Sequence, residues 1–189
     1  MASSREHWVL TFVCPDQKGI VHAITGAVVE IGGNITESQQ YTSLDTGRFF
    51  MRLQIEAETT KEAFGKQFEE IAARFDMTYV LDHVGRKMKT LVLVSKASHT
   101  LNDMLYRQRA GLLPIEIPKI VGNHPDLANL AQFYGIEFDS FKVTSSEEKA
   151  AFESHLRKLI AEHGIELIVL ARYMQILSPE FCSDFAGRI

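Results

Sequence analysis

Cysteine is scarce: Cys14 and Cys182 are the only two in 189 residues, far apart and without a CxxC or a metal-ligand spacing. Such a chain is not stapled by a disulfide framework, and both thiols are read as reduced, buried and structural. Long apolar runs are missing too. No stretch approaches the ~18 residues of a membrane helix, and the start, Met-Ala-Ser-Ser-Arg-Glu-His, has no apolar leader. Nor is there an excess of positive charge. A formal net charge of -4, with both signs interspersed, leaves no footprint for nucleic acid. A soluble cytoplasmic protein is expected, with small molecules or other protein chains as partners and no nucleic acid or membrane. A hydrophobic content of 46% is ordinary for a globular chain.

What is present falls into two rhythms. The first begins with Trp8–Cys14, a strand of β-formers ended by the turn Pro15-Asp16-Gln17-Lys18-Gly19. Ile20, Val21, Ile24, Val28 and Ile31 then recur at near-helical spacing, with Asp16 placed to cap the helix and Gly32-Gly33 to end it. Asn34–Tyr41 and Arg48–Ile55 read as a hairpin about Asp45-Thr46-Gly47. A helix opened by Thr59-Thr60 carries Phe64, Phe68, Ile71 and Phe75 on one face, and Met77–His83 is a last strand. The order β-α-β-β-α-β predicts an α+β, ferredoxin-like unit over residues 7–84, with both helices on one face of an antiparallel sheet. The other face, read as holding Val9, Phe12, Phe50 or Leu53, would be an apolar patch in need of a partner.

Gly85-Arg86-Lys87-Met88-Lys89 is the expected linker, and residues 90–189 change style. Thr90–Ser95 and Glu166–Ala171 are nearly continuous apolar strands, which suits a sheet covered on both faces. Between them come a helix at Leu101–Arg109, a strand at Ile115–Val121 and a helix at about Asp126–Tyr134. A strand at Glu137–Val143 and an amphipathic helix at Glu147–His163 follow. Pro118 suggests that its strand is an edge or carries a bulge. Ser178-Pro179 opens a short helix to Phe185, with Ser178 as N-cap. Alternating strands and helices predict an α/β, Rossmann-like parallel sheet. Gly187 looks like a helix C-cap and Ile189 like the first residue of a further strand, so the α/β unit is expected to be cut short.

Three groups of residues carry chemistry. The turn Asp16-Gln17-Lys18-Gly19 with Asn34-Ile35 either builds a carboxylate-binding helix start or is only a cap and two tight turns. Asn123-His124 ends a strand, as a polar pair over a ligand or as a plain turn before a helix. Met174-Gln175-Ile176-Leu177 follows a buried strand at the rim where open α/β sheets bind ligands, or packs its own core. His7, His22, His83, His155 and His163 share no metal spacing, and His155 and His163 are expected to face solvent.

Several of these motifs together resemble formyltetrahydrofolate deformylases. They are Val13-Cys14-Pro15-Asp16-Gln17-Lys18-Gly19-Ile20, Gly33-Asn34-Ile35, Thr46–Arg52, Val121-Gly122-Asn123-His124 and Val169–Phe181, and the likeness runs from about residue 8 to the end. It implies an amino-acid-sensing ACT domain followed by a formyltransferase-type folate domain. The implied reaction is hydrolysis of 10-formyltetrahydrofolate to tetrahydrofolate and formate, with no permanently bound cofactor and no metal. The pterin would meet backbone groups of Gln175 and Leu177 between Met174 and Ile176, with Asn123 and His124 near the formyl group. Asp16, Lys18, Gly19, Asn34 and Ile35 would contact an amino-acid effector, glycine or methionine being plausible, in a homo-oligomer paired through the ACT domains. The family's catalytic Asn, His and Asp are expected after Ile189, in a stretch beginning Asn-x-His-His-Ser-x-Leu-Pro, so none is assigned here. The phosphate-cradling glycine loop of nucleotide-using formyltransferases is replaced by Ser95-Lys96-Ala97-Ser98-His99-Thr100, which fits water as acceptor. Two alternatives stand beside this reading: a formyltransferase acting on an amine, and an inactive fragment that binds an amino acid or folate.

Overall fold

Strand β1 (Glu6–Pro15) turns Trp8, Leu10, Phe12 and Cys14 to one side, each at most 2% exposed, and Val9, Thr11 and Val13 to the other. The computed structural model describes residues 6–189 and divides them into two units, one ending at Arg86 and one spanning Lys87–Ile189. In the first, β1 is central. It pairs antiparallel with β3 (Arg48–Ala57) and β4 (Thr78–His83), and β3 pairs with β2 (Asn34–Ser43), giving the order β2-β3-β1-β4. Helices α1 (Ile20–Glu30) and α2 (Lys61–Phe75) cover the inner face through Ile24, Val28, Phe64 and Phe68. A fully buried side chain of this kind contributes about 1.5–3 kcal/mol.

The period of two corrects the expectation for the outer face. Phe12 and Leu53 belong to the core, whereas Val9, Phe50 and Val80 line the uncovered side. The α1 cap also differs: Asp16 is exposed and makes no side-chain cap bond, and its N–H donates to Gly47 O at 2.8 Å. Gly19 is the N-cap, at φ 93, where an L side chain would be strained. Asn34 has no left-handed backbone; it sits in β2. Of the two thiols, Cys14 is buried, with its pKa raised by burial, but Cys182 is exposed.

The second unit is a four-stranded parallel sheet in the order β7-β6-β5-β8: β5 (Met88–Val94), β6 (Ile115–Gly122), β7 (Glu137–Ser140) and β8 (Leu167–Ala171). β5 starts within the segment read as linker. Its Val92 and Val94 pack toward α3 (His99–Arg109) and α4 (Ala128–Phe133), while Leu91 and Leu93 pack toward α5 (Ser146–His163) and α6 (Pro179–Asp184). Coverage on both faces explains the unbroken apolar run.

Of the two readings of Pro118 the bulge holds: β6 is interior, and Pro118, lacking an N–H, sits where the β5 register slips between Lys89 and Leu91. Four details depart from expectation. The helix after His124 begins as a 3-10 turn, Pro125–Leu127, and β7 stops at Ser140, level with Gly122 at the end of β6. His155 does not simply face solvent; its ring stacks on Phe141 and meets Asp139 Oδ2 at 3.2 Å. Ile189 lies in no strand, although Arg188 O accepts from Ile168 N at 2.7 Å. No helix among the described residues is long and apolar enough to cross a membrane.

Candidate functional site

Three strands of the parallel sheet end on one rung. Val94 is level with Gly122 on one side and Ala171 on the other, so Ser95, Asn123 and Arg172 stand side by side one residue later. The chain leaves β5 toward β6 and β7, then returns to β8 on the opposite side. The strand order therefore reverses between β5 and β8, and a crevice opens at the carboxyl rim there.

The walls of that crevice mix polar and apolar groups. Ser95, Lys96, Asn123, His124, Arg172 and Met174, with Ala97 and Gln175, line a hollow of about 260 Å³ that contains no acidic residue. Asn123 is only 5% exposed, and its Oδ1 has no hydrogen-bond partner among the described residues. A buried amide oxygen left unpaired costs free energy unless a ligand or water satisfies it. Gly122 gives this strand end its shape: an added Cβ would lie 2.7 Å from His124 O and 2.6 Å from the Phe138 ring.

The segment after β8 is fixed by specific bonds. Arg172 adopts φ 58, rare for a side chain of its size, and its N–H donates to Leu170 O at 3.1 Å. Met174 N donates to Ser95 Oγ at 3.0 Å. Ser178 caps α6 by accepting from Phe181 N at 3.1 Å. Both Ser178 N and Ser178 Oγ donate to the Glu153 carboxylate, each at 2.6 Å. Between these anchors, no backbone hydrogen bond of Gln175, Ile176 or Leu177 is found among the described residues. Met174 and Ile176 are 66% and 86% exposed, whereas Leu177 turns into the core beside Phe152 and Phe181. The result is a strip of unsatisfied peptide groups with apolar side chains beside it, suited to a flat heterocycle bearing donors and acceptors.

Met174, Gln175, Asn123 and His124 are thus brought together around one hollow, and Ile176 and Leu177 do not line it. Arg172 and Glu153 were not singled out from the sequence, and Ser95 only as part of the loop that replaces a phosphate cradle. Glu153 had a legible signal, since it falls on the buried stripe with Leu156 and Ile160; the backbone of Arg172 had none.

The N-terminal candidates do not meet within one chain. Pro15, just before Asp16, is level with Arg48 at one end of the sheet. Asn34 is level with Glu56 at the other, beside a hollow of about 350 Å³ bounded by Ile31, Glu56 and Glu58. Asp16, Lys18 and Gly19 are exposed, as is Asn34, with Ile35 half-buried. The open sheet face carries a separate hollow of about 510 Å³ over Val13, Tyr41, Phe50, Arg52 and Val80.

Residues 88–189 match the family model described as formyl transferase. Over 189 aligned residues the chain is 41% identical to a formyltetrahydrofolate deformylase of Corynebacterium sp. (strain P-1), covering 98% of this chain and 66% of that protein. The deformylase of Bacillus subtilis (strain 168) is 35% identical, over 93% of this chain and 60% of its own length. The chain therefore spans a little under two-thirds of these relatives. A crystal structure of formyltetrahydrofolate deformylase from Burkholderia mallei superposes with a TM-score of 0.91 at 37% identity, covering 97% of this chain and 65% of that one.

Proposed function

The chain belongs to the formyl transferase family, with formyltetrahydrofolate deformylases as its relatives along nearly its whole length, and on that premise we propose that it serves the hydrolysis of 10-formyltetrahydrofolate to tetrahydrofolate and formate. The observation that carries the proposal is the strip Gln175–Leu177, whose unpaired backbone groups border a hollow of mixed polarity at the carboxyl rim of the sheet. The pterin's donors and acceptors pair with that backbone, against Met174. The formamide then points toward Asn123 and His124. Attack of water on the formyl carbon makes a tetrahedral oxyanion. Collapse breaks the C–N bond, returns a proton to the leaving nitrogen and releases formate. The His and Asp that the resemblance assigns to activating the water, and the Asn and His it assigns to the oxyanion, are expected outside residues 1–189, so the groups assigned within this chain are binding groups.

The first unit we propose to be an ACT-type regulatory domain. Its β-α-β-β-α-β order and antiparallel sheet support this, as does the Gly19 N-cap, which provides no side-chain acceptor and leaves the first-turn N–H groups of α1 to a carboxylate. An amino acid such as glycine or methionine would be the effector. A site using Asp16, Lys18 and Gly19 together with Asn34 and Ile35 requires a second chain, because one chain holds the two sets at opposite ends of its sheet. The open face with Phe50, Val80 and Tyr41, 41%, 63% and 65% exposed, supports a homo-oligomer.

The deciding experiment supplies 10-formyltetrahydrofolate to the purified chain, with and without a primary amine, and measures formate and formylated amine. Formate without amine is the expected result when the residues expected after Ile189 are supplied with the chain, and tetrahydrofolate binding when they are not. Formylated amine in its place would make the protein a transferase. Tetrahydrofolate binding with neither product would assign this chain a binding role only.

A further inference from the structure

We infer that Glu153 is a positioning residue, which sets the backbone strip Gln175–Leu177 in the shape that receives the pterin; the inference rests on reading that strip as the folate site. Glu153 is on α5 and 5% exposed, an expensive location for a carboxylate. Both of its oxygens are spent on one residue, Ser178, through the N–H and the hydroxyl. Capping of α6 explains only part of this: Ser178 Oγ caps the helix by accepting from Phe181 N, and a carboxylate on the Ser178 N–H completes a capping box, but the bond to the Ser178 hydroxyl lies outside it. What Glu153 adds is a fixed position for Ser178, where the strip ends. Ser95 Oγ fixes Met174, where it begins. A strip held at both ends and unbonded in its middle is ordered before the ligand arrives, so binding bears less of the ordering cost. Peptide groups held in place also present donors and acceptors without reorganisation.

A structural role and a positioning role predict different behaviour. Removing the carboxylate leaves the Ser178 N–H and hydroxyl without their acceptor, which costs stability at that one place. Glu153→Met is therefore expected to lower the unfolding midpoint of the full chain slightly while releasing Ser178. Tetrahydrofolate affinity, measured by titration calorimetry, should fall about tenfold, since small misplacements of positioning groups have effects of at least this size. Hydrogen exchange should accelerate at the bonded amides of Ser178 and Met174 and nowhere else. Glu153→Gln keeps an acceptor for Ser178 N–H and a donor toward Ser178 Oγ, so it should restore affinity to within about threefold. Wild-type affinity and exchange in Glu153→Met would overturn the inference, as would acceleration spread over the whole second unit. If Glu153→Met does not fold, Ser178→Ala removes one of the two bonds from the other side; unchanged affinity and exchange there would overturn it equally. A wild-type chain that binds no tetrahydrofolate removes the folate reading itself. That failure is distinct from wild-type binding that Glu153→Met leaves intact.

Discussion

Tyr173 shows how much one position can hold that its letter does not reveal. Its ring stacks on Phe152 with centroids 6.0 Å apart, and burial pushes its phenol pKa upward, with the Glu153 carboxylate adding to the shift. The sign for stability follows. The unfolded phenol ionises near 10 and the folded one only above that, so the native state holds more protons in between. Stability from this group is complete below pH 10 and declines as pH rises through the alkaline range. Tyr173→Phe should flatten the decline in urea midpoint between about pH 9 and 11, relative to wild type; parallel curves would refute it. From sequence, Met174, Gln175, Asn123 and His124 could be placed on one rim, because strand ends in an α/β pattern converge. The left-handed Arg172 and the unpaired Asn123 Oδ1 could not, since both depend on how neighbouring strands stop.

Elements were more legible than side chains, because periodicity and capping residues are local. Helix α5 is the best example. Ser145 accepts from Glu148 N at 3.2 Å, and Glu148 reaches back to Ser145 N, closing a capping box at the start of the helix that carries Glu153. Ser145→Ala should lower stability by about 1 kcal/mol, visible as a shift in the denaturant midpoint; a change under about 0.3 kcal/mol would mean the box is idle. Where element reading failed, tertiary pairing decided. β7 ends at Ser140, level with Gly122, where its neighbour β6 also ends. Pro118 was legible as a bulge: it stays inside the sheet because a register slip absorbs its missing N–H. On β1 and β3, hydrophobicity alone did not say which apolar residues face the helices, and Phe12 and Leu53 went to the core.

At the scale of the molecule, each unit closes its own core. Trp8, the only tryptophan, lies in the first, and Phe152 lies in the second. Phe152→Ala should destabilise the second unit by about 3–5 kcal/mol. Far-UV circular dichroism should then lose part of its amplitude early while Trp8 fluorescence keeps its original midpoint; a shared shift would show that the units unfold as one. The placement of Gly19 and Asn34 at opposite ends of one sheet carries a further consequence. A small molecule that touches both must count chains, so its apparent affinity is tied to protein abundance. Dilution alone would empty such a proposed site with no change in the level of its ligand, whereas at high abundance the affinity levels off at that of the paired chains.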